Sequence, residues 1–325
     1  AVLADRKHEI ADRVRAETGK PRTEALAEVA VSADLIRFYL GAAPGVLRRR
    51  RVGSGWLLHR SARVEQEPYG VIGAITPWNY PFILVMDCVT PALIAGNGVV
   101  VKPSEFTPST ALLVPELGRA AGIPEGLIQV VTGFGETGAA LIGAGVDKIS
   151  FTGSTATGRK VMEAAAKGPT PVTMELGGKD PAIVLADADL ARAARGIAYG
   201  SFFNAGQTCI SVERVFVERS VHDEFAERLA EEAGRLRAGS GPDADVGPLV
   251  NERQMAVVER QVADAVARGA VARSGGEHGD GTRVFLPTVL TGVTDAMAVQ
   301  TEETFGPVVT VTPVAAKIWS FTSLL

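Results

Sequence analysis

A chain of 325 residues with 46% hydrophobic content and a formal charge of -4 can bury a sizeable core and divide into two domains. Its 33 basic and 37 acidic residues lack the basic excess that nucleic acid selects. No apolar run reads as long enough to span a bilayer, and no secretory leader is legible. Two cysteines, Cys88 and Cys209, form neither a disulfide framework nor a metal cluster, and the chain reads as cytoplasmic with no bound metal.

Residues 1–18 read as a helix stopped by Gly19 and Pro21, and a second helix runs from about Thr23 to Leu40 before Gly41. The chain opens at Ala1 inside an amphipathic pattern, so residues are expected upstream. Arg48 to Arg51 read as a solvated surface, and WLLHRSARVEQEP alternates as a strand or hairpin would. From Tyr69 the pattern becomes regular: VIGAI, a helix over about Phe82 to Ala95, VVVK, a helix over about Pro108 to Ala121, LIQVV, a short helix, DKISF, a helix over about Thr155 to Ala166, and PVTMEL. Short β-rich runs alternating with helices predict an α/β doubly wound parallel sheet, which binds ligands at the carboxyl ends of its strands.

The loops at those ends carry the chemistry. TPWNYP (76–81) offers the Asn79 amide as a donor, and KPSEFTP sets Lys102 and Glu105 around a turn. A carboxylate there can accept both hydroxyls of a ribose and would repel a 2'-phosphate; the alternative is a solvated ion pair. FTGSTATGRK (151–160), with Gly153, Ser154 and Gly158, is either a phosphate cradle at a helix N-terminus or a plain capped turn, since its spacing fits neither GxGxxG nor a P-loop. MELGGKDP (174–181) offers Glu175 as a carboxylate base.

FFNAGQTCI (202–210) places Cys209 between a helix over DLARAARGIAYGSFF, N-capped by Asp189, and a strand RVFVE (214–218). A thiol in a small polar turn reads as a nucleophile, against the alternative of a small buried hydrophobe. Jointly, a thiol, an amide donor, a carboxylate base and a ribose-binding carboxylate are the parts needed to oxidise a carbonyl through a thioester. After Pro181 a second α/β segment follows, with helices over about Val221 to Ala238 and Glu252 to Arg268 and strands near Val284 to Leu290 and Val308 to Val311. TEETFGPV carries Glu303 and Phe305, and the uncapped apolar AAKIWSFTSLL reads as a cut.

TPWNYP, KPSEFTP, FTGSTATG, MELGGKDP, NAGQTC and EETFGPV, in this order, resemble the aldehyde dehydrogenase superfamily up to about Val314. The resemblance implies a Rossmann-like dinucleotide-binding domain over 1–177, an incomplete catalytic domain over 178–314, and a non-native or truncated tail over 315–325. It implies Cys209 as nucleophile, Glu175 as general base, and Asn79 with the Cys209 backbone N–H as the oxyanion hole. Lys102 and Glu105 would hold the adenosine ribose, with Trp78, Gly153, Ser154 and Leu176 also at the cofactor and Glu303 with Phe305 at its nicotinamide half. NAD is the implied cofactor and NADP its alternative; the partner is a small aldehyde, with neither nucleic acid nor membrane. The thioester would be hydrolysed rather than passed to coenzyme A, since relatives acylating that carrier generally lack the glutamate. The hairpin around 50–68 would serve a homo-oligomer of the full-length form. Many relatives carry a lysine nine residues after the asparagine; here Cys88 stands there. The wording around GQTCIS and ETFGPVV is similar to bacterial succinate semialdehyde dehydrogenases. The competing expectation is a truncated, inactive fragment that binds dinucleotide or a partner subunit.

Overall fold

The computed structural model describes residues 1–57 and 59–315, and the chain divides into two compact units. One comprises Ala1–Glu17 and Ala25–Leu176, the other Thr18–Glu24 and Gly177–Leu325. Apart from Ala315, the expectation for the 315–325 tail falls outside the described residues.

The chain opens with α1 (Val2–Asp5), α2 (Lys7–Thr18) and α3 (Arg22–Val46), all in the first unit apart from the residues within Thr18–Glu24. The expected single N-terminal helix is broken at Arg6, whose guanidinium pairs with Glu9 and Glu116. Helix α3 runs six residues past its expected end. Gly41 does not stop it because Ala42 and Ala43 continue the turn, and the helix ends at Val46, two residues after Pro44 removes an N–H from the ladder. This extension makes α3, among the described residues, the one helix long and apolar enough by length and composition to cross a bilayer, which the sequence expectation had found nowhere. In this unit α3 nonetheless buries Ala25 and Val29 in the core, and its Glu28 accepts from the amides of Phe82 (3.1 Å) and Ile83 (3.3 Å).

A short antiparallel hairpin follows, β1 (Arg50–Val52) with β2 (Ala62–Val64), so the expected solvated arginines are partly strand. Then β3 (Val71–Ile75), α4 (Ile83–Ile94), β4 (Gly98–Lys102), α5 (Pro108–Ala120), β5 (Ile128–Val130), α6 (Gly135–Gly143), β6 (Lys148–Thr152), α7 (Thr155–Ala166) and β7 (Val172–Glu175) alternate. The five strands pair in parallel in the order β5-β4-β3-β6-β7. Successive side chains face opposite sides: Val99 and Val101 enter a cluster with Phe82, Val85 and Leu117, whereas Val100 and Ile75 pack against Leu141, Ile149 and Phe151. The chain order reverses at β3, so a topological switch point opens between the carboxyl ends of β3 and β6.

The second unit holds β8 (Asp180–Val184), α8 (Leu190–Phe202), β9 (Val212–Glu218), α9 (His222–Gly234), α10 (Glu252–Ala267), β10 (Val271–Ser274), β11 (Thr288–Thr291), α11 (Ala298–Thr301) and β12 (Val308–Val314). Its sheet has the order β10-β11-β12-β9-β8, parallel except for β10. Pro181 is accommodated because β8 is an edge strand. The strand expected over Val284 to Leu290 is shifted to Thr288–Thr291. Pro287 cannot donate to the ladder, and Leu286 bonds back to Glu277 instead. The core gathers Phe202, Val215, Val217, Phe225, Leu229, Val258, Leu290 and Val309.

Candidate active site

In the first unit the predicted residues sit at the carboxyl ends of neighbouring parallel strands. Trp78 and Asn79 follow β3; Asn79 is 3% exposed and Trp78 half-buried. Lys102 closes β4 with its side chain buried, and its ammonium lies 3.6 Å from the Glu105 carboxylate. The Thr76 amide donates to the Lys102 carbonyl, which joins the two loops.

After β6, Gly153 and Ser154 lead into α7. A Cβ on Gly153 would lie 2.8 Å from the Phe151 ring, and Ser154 caps the helix by accepting from the Thr157 amide at 3.3 Å. The capped turn is therefore realised, and with it an exposed helix N-terminus at the switch point. Gly158 lets the helix approach β7, for its Cβ would stand 2.7 Å from Leu176. Glu175 ends β7, exposed, its carbonyl taking the Gly153 amide.

Cys88 lies on α4 with Sγ 3.4 Å from the Ser150 hydroxyl. Burial pushes its thiol up to about 11, against the opposing pull of Ser150, so at neutral pH it stays uncharged and does not reproduce a lysine's charge.

In the second unit the segment before Cys209 is more ordered than its composition suggests. Asn204, Ala205 and Gly206 adopt φ of 55°, 54° and 68° in succession, a left-handed run that costs L-residues energy. Polar side chains hold it. The Asn204 amide donates to Glu24 at 2.9 Å, the Asn204 and Gln207 side chains exchange bonds with each other's carbonyls, and Gln207 Oε1 accepts from Val250. Gln207 is 1% exposed, so the expected small polar turn is buried, while Cys209 itself is exposed.

Surrounding protein raises the Cys209 thiol pKa despite that exposure; its own and the Ile210 backbone N–H groups oppose this, while the Glu303 and Asp180 charges add to it. The Glu303 carboxylate that acts on this thiol is itself held by the backbone. It accepts from the Gly178 amide at 3.3 Å, over a backbone where a Cβ on Gly177 would fall 2.2 Å from Oε2. Burial first, and the Glu213 charge second, raise the Glu303 pKa. Phe305 follows at a left-handed φ of 50°.

Sequence reasoning missed the charged group behind this turn. Lys179 pairs with Glu213, and Glu213 accepts from the amides of Thr304 and Phe305. The signal was the strand period: in VERVFVE the buried phase is Glu213, Val215, Val217, which puts a carboxylate where an apolar residue is usual.

A doubly wound sheet with an open switch point is the architecture of a dinucleotide-dependent enzyme, and the second unit adds an exposed cysteine on a braced turn. The chain belongs to the Aldehyde dehydrogenase family, whose pattern matches residues 1–317. It is 44% identical to 4,4'-diapolycopene aldehyde oxidase of Methylomonas sp. over 96% of this chain and 59% of that protein. It is 43% identical to the mitochondrial succinate-semialdehyde dehydrogenase of Arabidopsis thaliana over 94% of this chain and 59% of that protein. The crystal structure of NAD-dependent aldehyde dehydrogenase from Sinorhizobium meliloti superposes with a TM-score of 0.90 at 39% identity, covering 95% of this chain and 63% of that one. The chain thus spans about three fifths of the length of the curated relatives it matches.

Proposed function

We propose that the chain carries the cofactor-binding and nucleophile-bearing parts of an NAD(P)-dependent dehydrogenase that oxidises an aldehyde to a carboxylate. The observation that carries this reading is the exposed Cys209 thiol on a turn braced by Glu24 and Gln207.

The residues present fit a dinucleotide. Lys102 and Glu105 offer a donor and an acceptor to a ribose, and the α7 N-terminus with Gly153 offers amides and a positive dipole end to a pyrophosphate. Trp78 and Leu176 complete that face, and Glu303 with Phe305 serve the nicotinamide half. Bound there, NAD supplies the hydride acceptor. Glu105 favours NAD over NADP, because a 2'-phosphate would meet a carboxylate.

Cys209, once deprotonated, attacks the aldehyde carbon. The developing oxyanion is met by the Asn79 amide and the Cys209 N–H, a contact type worth roughly 3–4 kcal/mol elsewhere. Glu175 takes a proton from the water that hydrolyses the thioester. The relatives named for semialdehydes support an aldehyde carrying a second polar group as substrate. In the whole protein the reading extends to a homo-oligomer using the β1–β2 hairpin, where Trp56 is 99% exposed, and to the cytoplasm, which suits free thiols.

The test is NADH formation with a panel of aldehydes. Cys209→Ala is expected to abolish it with NAD affinity retained, and Glu175→Gln to give one burst followed by slow turnover. Undiminished turnover in Cys209→Ala overturns the reading, whereas NAD binding without turnover in the unsubstituted protein favours the inactive fragment.

A further inference from the structure

The first residues of β9 do more than start a strand. Glu213 is 3% exposed, and the partners of its carboxylate lie on loops outside β9 and the strands beside it. Its Oε1 accepts from the Phe305 amide at 2.8 Å, and its Oε2 accepts from the Thr304 amide at 2.9 Å and from the Lys179 ammonium. Lys179 donates in turn to the Thr304 hydroxyl at 2.8 Å, and that hydroxyl donates to Gln261 at 2.7 Å. From α10, Gln254 and Gln261 donate to the carbonyls of Thr304 and Glu303. Amides and carbonyls across the Glu303–Phe305 turn are thereby claimed by buried or half-buried side chains.

A charge-assisted bond to an amide is roughly twice as strong as a neutral one, and a left-handed Phe305 needs such support. The neighbour Arg214 grips the Lys179 carbonyl through Nε at 3.0 Å and Nη2 at 2.6 Å. Two consecutive residues therefore lock the Gly177–Lys179 loop and the Glu303–Phe305 turn to a strand that begins three residues after Cys209.

We propose that Glu213 is a positioning residue: through the Thr304 and Phe305 amides, with Lys179 as counter-charge, it sets Glu303 and Phe305 for the nicotinamide half of the dinucleotide. Its functional part rests on the dinucleotide reading above. Its structural part does not.

The experiment combines amide hydrogen exchange with calorimetric affinities for NAD and for AMP, which lacks the nicotinamide half. In the unsubstituted protein the Thr304 and Phe305 amides are expected to exchange as slowly as the β9 ladder; fast exchange at both overturns the proposal. In Glu213→Gln, protection at those two amides is expected to fall at least about tenfold, with NAD bound about tenfold more weakly and AMP within about twofold of the original. Glu213→Asp keeps the charge beside Lys179 while drawing back the acceptor oxygens, so it is expected to show the same split if Glu213→Gln does not fold. Unchanged protection, or equal weakening of NAD and AMP in a folded variant, overturns the proposal. Lost protection at both amides in a protein that never bound dinucleotide supports the positioning and overturns the cofactor reading instead.

Discussion

Gly206→Ala tests whether the turn before Cys209 is as tightly placed as its contacts imply. Gly206 has a φ of 68°, and a Cβ there would lie 2.0 Å from the Gly306 carbonyl oxygen and 2.4 Å from its carbon. Both obstacles are backbone, so no rotamer change relieves them. Ordinary contact needs about 3.5 Å, and the turn would have to retreat by more than about 1 Å. The left-handed conformation costs an L-residue about 1–2 kcal/mol, and overpacking a close contact about 1–3 kcal/mol. A loss of about 2–5 kcal/mol follows, a large share of the roughly 5–15 kcal/mol that holds a folded domain.

The assay is urea unfolding followed by circular dichroism, read as a lower midpoint at unchanged slope. Gly306→Ala is the comparison, because its Cβ meets a Val258 methyl at 2.3 Å but no left-handed φ adds to the cost. About half the loss is expected there. If Gly206→Ala unfolds within about 0.5 kcal/mol of the original protein, the close approach of the two loops is refuted.

The Cys209 thiol lies above the ~8.5 of a free cysteine, so its alkylation by iodoacetamide at pH 8 is expected to be slower than that of a small thiol and to keep rising above pH 9. Glu303→Gln removes a like charge and is expected to speed alkylation at pH 8; a slower or unchanged rate counts against Glu303 facing the thiol. Glu17 accepts from the amides of Ser109 (2.6 Å) and Thr110 (2.9 Å) and so caps α5 in place of Thr107, which makes no side-chain cap bond. Glu17→Ala is expected to lose about 1–2 kcal/mol in thermal or urea unfolding, and a loss under about 0.3 kcal/mol would show that the cap carries no weight.

Much of the first unit was legible because parallel strands buried on both faces announce themselves as short apolar runs between helical periods. Val99 to Val101 and Ile149 to Phe151 are where the sequence puts them. Helix ends were less legible. The amide donors of α4 and α5 are met by Glu28 and Glu17, remote in sequence, and no local capping pattern could reveal those partners. In the second unit, β10 went unnoticed because VARS is exposed and weakly alternating, and β11 was displaced by Pro287, whose effect depends on the register of its neighbour. Glu213 escaped because a carboxylate in a strand reads as a solvated face until its burial is known.

Among the described residues, five non-glycines have positive φ, and three of them, Asn204, Ala205 and Phe305, lie on the two loops that flank Gly206 and Gly306. Strained backbone persists only where its surroundings over-determine it. Here the constraint comes from groups distant in sequence: Glu24 on the Asn204 amide, the Val250 amide on Gln207, and Glu213 on the Thr304 and Phe305 amides. A loop held only by its own residues could relax one torsion at a time, whereas each of these loops has amides held by a buried acid remote in sequence, Glu24 for one and Glu213 for the other, and cannot move without displacing that acceptor. For the nucleophile proposed above that difference matters, since a displacement of about 1 Å can cost about a hundredfold in rate. The left-handed run and the buried acids are therefore one device: the acids hold the strain, and the strain aims the turns that bear Cys209 and Glu303.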